Sequence, residues 1–131
     1  MTKKKVFISF DYDNDSDIKG SLVAQAKNND SPFEISDMSI KEAIDSNWKY
    51  YARQRIRNVD VVIVLCGYYT ANAKGVQAEL EITQEENKPY FLLQGREESW
   101  RRVTKPKNAR YGDKIYKWTW DNLKALLNGQ R

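Results

Sequence analysis

Polar side chains with catalytic potential gather at the ends of two apolar segments. Lys5-Val6-Phe7-Ile8-Ser9-Phe10-Asp11 runs into Tyr12. Asp60-Val61-Val62-Ile63-Val64-Leu65-Cys66-Gly67 runs into Tyr68, Tyr69 and Thr70, and a helical stretch carrying Glu79 follows. The chain contains no histidine. Ser-His-Asp and Cys-His nucleophile systems are thereby excluded. One cysteine without histidine cannot furnish the usual zinc ligand sets either, so no metal site is expected. Chemistry here must run on carboxylates, Lys, Arg, Tyr or hydroxyls.

Both apolar segments lack polar alternation, which marks strands buried on both faces. Their abrupt polar ends put the candidate residues at the carboxyl edge of a sheet, where open α/β sheets bind ligands. Asp15 or Ser16 can cap a helix with the stripe Ile18, Leu22, Val23 and Ala26. Residues 28–32 form a turn cluster before a short strand, Phe33-Glu34-Ile35. Asp37 to Asp45 reads as a polar loop or loose helical turn. Ser46 can cap a helix to about Asn58, with Trp48, Ala52 and Ile56 on one face. Tyr68 to Lys74 is a loop, and the next helix puts Val76, Leu80 and Thr83 on the core side and ends near Asn87. Pro89 blocks more helix, and Tyr90 to Leu93 is a strand ending at Gln94-Gly95. Glu97 to Gly112 is irregular, and a long structureless segment in a small domain is usually functional or mobile. Ile115 to Trp118 is a short strand. Thr119 or Asp121 opens a last helix, with Leu123, Leu126 and Leu127 as its stripe and Gly129 as its stop.

Alternating strands and helices imply a mostly parallel sheet covered on both faces. The fold expected is α/β, a flavodoxin-like, three-layer, doubly wound five-stranded sheet. A single domain is expected over residues 1–131, with its core at about 5–95, a basic loop at 96–114 and a last strand and helix at 115–128. The 131 residues suffice for one core of useful size. No apolar run is long enough for a membrane span. The basic start, Met1 to Lys5, runs into a strand and not a signal-peptide core. The lone cysteine fits a reducing compartment, so a cytoplasmic protein is expected. The net charge is +4, but residues 96–117 hold eight Lys/Arg against three acids, a local +5, leaving −1 elsewhere. That run could attract phosphates or an acidic partner, or be a solvated loop. It lacks the ordered basic stripe of a nucleic-acid module, so nucleic acid is not the expected partner.

Taken in order, Val6-Phe7-Ile8-Ser9-Phe10, Asp37-Met38-Ser39-Ile40-Lys41-Glu42, Trp48, Asp60 to Gly67, and Gly75-Val76-Gln77-Ala78-Glu79-Leu80 resemble the bacterial TIR-like domains. Within these, the MTH538-like and Thoeris ThsB-like branch is the most similar. The resemblance spans roughly Lys5 to Gly95. It implies a TIR-like fold, a site for NAD as substrate with no further cofactor, and a catalytic glutamate on the helix after the third strand, which Glu79 matches. It also implies cleavage of the nicotinamide–ribose bond, with cyclisation or transfer of ADP-ribose to make a signal in anti-phage defence. Self-association and a separate effector protein are the partners it implies. The sequence departs from the family pattern at Lys74-Gly75, where many relatives have Trp, and at Cys66, where many have Ser. Both positions border the implied pocket.

Each candidate also has a plainer reading. Glu79 is either the catalytic carboxylate, kept ionised near a helix N-terminus, or an ordinary solvated helix acid like Glu81, Glu85 and Glu86. Phe10, Asp11 and Tyr12 either line the nucleotide pocket or divide into core, turn and cap. Asp37 and Ser39 either contribute to the site or cap a helix. Trp48 reads as a core anchor. Cys66, with no histidine to activate it, reads as a small filler at a strand end. Gly67, Tyr69 and Thr70 are pocket candidates by position. Tyr116, Trp118 and Trp120 read as an aromatic row at the sheet edge. The functional alternative to an enzyme is a non-catalytic nucleotide- or protein-binding signalling module on the same fold.

Overall fold

The computed structural model describes residues 3–38, 47–97 and 100–129. Strands β1 (Lys4–Ser9), β2 (Phe33–Met38), β3 (Val61–Cys66), β4 (Tyr90–Gln94) and β5 (Ile115–Tyr116) alternate with helices α1 (Ser16–Ala26), α2 (Trp48–Arg57), α3 (Lys74–Glu85) and α4 (Trp120–Leu127). The strands form one sheet in the order β2-β1-β3-β4-β5. Every neighbouring pair is parallel. This is the flavodoxin-like order, in which the winding reverses between β1 and β3.

Burial follows the two-residue period of the strands. On one face Val6, Ile8, Ile63, Leu65, Phe91 and Leu93 pack against Ile18 and Leu22 of α1 and Leu123, Leu126 and Leu127 of α4. On the other, Phe7, Val62, Val64, Cys66 and Leu92 pack against Trp48, Ala52 and Ile56 of α2 and Val76, Leu80 and Ile82 of α3. All six residues of β3 are buried, as a continuous apolar run between two helix layers must be.

Several boundaries differ from the sequence expectation. β2 continues to Met38, so the backbone of Asp37 lies in the strand, opposite Phe7, and not in a loop. Pairing with β1 supports this extension, beyond the reach of local propensity. Ser39, Lys41 and the Ser46 cap lie outside the described residues. β5 is only Ile115–Tyr116, and Trp118 instead donates its indole N–H to Gln25 Oε1 at 2.8 Å. The loop after β3 contains a single 3₁₀ turn, Thr70–Asn72.

The helix stops and caps divide similarly. Asn87, at φ 55°, ends the α3 turn, and Gly129, at φ 94°, ends α4. Thr119 Oγ1 accepts from the Asn122 N–H at 3.1 Å, the expected cap of α4. Asp15 occupies the N-cap position of α1 but makes no side-chain cap bond, and Ser16 Oγ donates back to the Tyr12 carbonyl at 2.7 Å.

Candidate functional site

β1 and β3 lie side by side at the reversal of the sheet order, and their carboxyl ends carry the polar residues. Ser9 closes β1 on the same face as Phe7. Glu79 falls on α3 at the helical spacing of Val76, Leu80 and Thr83, the stripe that packs on that face. A carboxylate on a core stripe needs a partner. Ser9 Oγ supplies one, donating to Glu79 Oε1 at 2.7 Å. Glu79 is only 1 % exposed and Ser9 fully buried. The Thr83 hydroxyl donates to the Glu79 carbonyl at 2.7 Å, one turn along the same stripe.

Glu79 is therefore not a solvated helix acid. Glu81 and Glu85 are exposed, and Glu86 pairs with Arg53 and Arg57 at 2.6 and 2.7 Å. Nor does a helix end hold Glu79, because α3 begins at Lys74 and the N-terminal field fades within the first turn. The hydrogen bond from Ser9 is one contact that fixes the carboxyl group.

The loop after β1 is built on its own acids. Asp11 accepts from the Asp13 N–H at 3.1 Å and from Asn14 Nδ2 at 2.7 Å, so its carboxylate shapes the turn. Phe10 is 2 % exposed and belongs to the core beside Ile18 and Leu22. Tyr12 is 40 % exposed, its ring 4.7 Å from that of Phe10. Of these three, Tyr12 alone presents a surface.

The loop after β3 is tied from three sides. The Gly67 N–H donates to the buried Thr70 Oγ1 at 2.7 Å. Thr104, from the basic segment, donates its N–H to the Gly67 carbonyl at 2.9 Å, and its Oγ1 accepts from the Ala71 N–H at 2.9 Å. Below Gly67 lies Asp15, 1 % exposed. A Cβ on Gly67 would clash with the Asp15 carboxylate, so only glycine lets that carboxylate approach. Cys66 is fully buried among the α2/α3 core, and burial pushes its thiol up to about 12. It fills the strand end in that core.

Arg96, just beyond β4, fixes the β1 loop to this edge. Its Nε donates to Asp15 Oδ1 at 3.1 Å, and its Nη2 donates to Asp17 Oδ1 at 2.6 Å and the Asn14 carbonyl at 2.8 Å. The pairing holds the Asp17 carboxyl below its usual range. Burial raises that of Asp15, with Arg96 opposing it. Part of the basic run is thus an internal clasp. No group of three or more His, Cys, Asp or Glu able to hold a metal ion occurs among the described residues. No described helix is long and apolar enough to cross a membrane.

The structure brings Glu79 together with Ser9, and Gly67 with Thr70. It leaves Phe10 and Cys66 in the core and Tyr69 46 % exposed on the rim. Sequence reasoning missed Ser9 as the partner of Glu79, and Arg96 as the partner of Asp15. The signal for the first pair was present: a hydroxyl in a buried strand and an acid on an apolar helix stripe each demand a partner. Nothing local pointed to the second.

The doubly wound parallel sheet thus carries a buried glutamate on α3, held at the carboxyl end of β1. The family model described as the Thoeris protein ThsB, TIR-like domain, matches residues 7–98. The chain belongs to that family. No curated protein matches it.

Proposed function

We propose that this chain is a signalling domain of anti-phage defence that cleaves the nicotinamide–ribose bond of NAD, with Glu79 as the catalytic carboxylate. The observation that carries the proposal is the burial of Glu79 against Ser9 at the carboxyl edge of the sheet. In NAD the nicotinamide is already cationic and leaves as a neutral base, so no general acid is needed. The barrier lies in positive charge developing on the ribose. A fixed carboxylate with few competing waters stabilises that charge, the same electrostatic logic as in glycoside hydrolysis. It can also orient the ribose hydroxyls. Such chemistry requires neither histidine nor metal. Water or an internal nucleophile then takes the ADP-ribosyl group. A separate effector protein would receive the product, and self-association belongs to the same reading.

The burial of Glu79 also supports the rival, a non-catalytic binding module. A carboxylate 1 % exposed reaches a sugar only after its neighbours part, and a buried Ser–Glu bond can serve packing alone. Nicotinamide release by purified protein, measured beside Glu79→Ala, separates the two. Release by the wild type, abolished in a folded mutant, is the expected result. Equal release by a folded Glu79→Ala protein would sink the catalytic assignment.

A further inference from the structure

Beyond β4 the basic segment, together with the loop after β3, builds a second set of groups. Arg101 lies against three aromatic rings, its Cζ 4.3 Å from the centroid of Tyr68, 4.9 Å from Tyr69 and 5.5 Å from Trp100. Trp100 is 72 % exposed and Tyr69 46 %, so both keep ring surface open to solvent. Beside them is an open cleft of about 360 Å³. Arg96, Arg101 and Arg102 line it with Gln94, the last residue of β4, and with Val103 and Ile115 as apolar lining. Among the described residues one acid, Glu97, also lines the cleft, and it faces Lys117 at 3.7 Å.

The three arginines are not equivalent. Arg96 is committed to Asp15 and Asp17. Arg101 and Arg102 form no ion pair among the described residues. A guanidinium stacked on rings keeps its in-plane N–H edge available, and that edge matches the paired oxygens of a phosphate. Exposed indole and phenol faces suit a planar heterocycle. A simple anion would use only the arginines and a neutral base only the rings. A nucleoside diphosphate uses both.

We infer that Arg101 and Arg102, with Trp100 and Tyr69, form a binding site for a nucleoside diphosphate at the carboxyl end of β4. This goes beyond the cleavage reading and does not depend on it.

The test is calorimetric titration of the full chain with ADP, adenosine and inorganic pyrophosphate. ADP contains no nicotinamide bond, so the outcome stands whether or not the chain cleaves NAD. The expected result is that ADP binds at least tenfold more tightly than either fragment. Arg101→Ala and Arg102→Ala each weaken ADP tenfold or more, and Arg101→Lys, which keeps the charge but not the planar fork, weakens it as well. Trp100→Phe removes the fluorescence change that ADP causes. Arg102 is exposed, so Arg102→Ala gives the answer even if a change at Arg101 disturbs the loop. No ADP binding at millimolar concentration, or ADP binding that Arg102→Ala leaves intact, overturns the inference. Tighter binding of a single-stranded oligonucleotide than of ADP overturns it in favour of a nucleic-acid surface.

Discussion

Ser9 and Glu79 are 70 residues apart in the chain, and the serine hydroxyl donates to the glutamate Oε1 at 2.7 Å inside the protein. The bond joins the carboxyl end of β1 to α3 across the point where the sheet order reverses. It gives a buried carboxyl group a fixed position beyond the first turn of α3, in a chain without histidine.

Removing the hydroxyl separates structural from functional roles. Ser9→Ala leaves a buried carboxylate short of a donor and is expected to lower stability by about 1–3 kcal/mol. If Glu79 acts on NAD, the same change lowers kcat for nicotinamide release on the order of 10- to 100-fold, because a misplaced carboxylate loses alignment. Ser9→Thr, which restores the hydroxyl, should recover kcat. Urea unfolding with steady-state kinetics on the three proteins checks both effects.

Gly67 and Asp15 make a second close contact, and it predicts a steric penalty. Gly67→Ala drives a methyl group into a carboxylate that Arg96 already holds. The expected loss is about 1–3 kcal/mol, read as a lower thermal midpoint. Because the clash is with Asp15, adding Asp15→Ala should give a double mutant less destabilised than the sum of the two single changes. Strict additivity would show that the clash is relieved elsewhere.

Acid sensitivity should trace in part to Glu86. Hydrogen bonds from Arg57 and Arg53 hold its carboxyl at about 2, below the ordinary 4.5. A group depressed in the native state contributes its stability above the unfolded value and loses it as pH falls through the native one. The contribution is therefore complete above about pH 4.5 and lost toward pH 2. Glu86→Gln should flatten the fall of the urea midpoint across that window. An unchanged slope would assign the acid limb to other carboxylates.

The single thiol offers a simple probe of the fold. Cys66 is fully buried and its thiol is raised to about 12, so at pH 8 it should resist alkylation in the native protein. It should react freely in denaturant. Fast labelling of the native chain would mean that β3 is exposed by local opening.

The sequence by itself determined the elements. Unbroken apolar runs, helical stripes, Pro89, Thr119 and Gly129 act through neighbours in the chain, so the βα order and the two-faced burial were legible. It also marked Glu79, through the family resemblance. Only the tertiary structure decided what each polar group does. Asp15 reads locally as a helix cap, and folding turns it toward an arginine 81 residues away. Part of the basic run proves to be a clasp and a stack on aromatic rings. Asp37 joins a strand because β1 pairs with it. Buried polar groups must be satisfied by whatever the topology brings beside them, and that proximity is a property of the whole sheet. Periodicity carries no information about it.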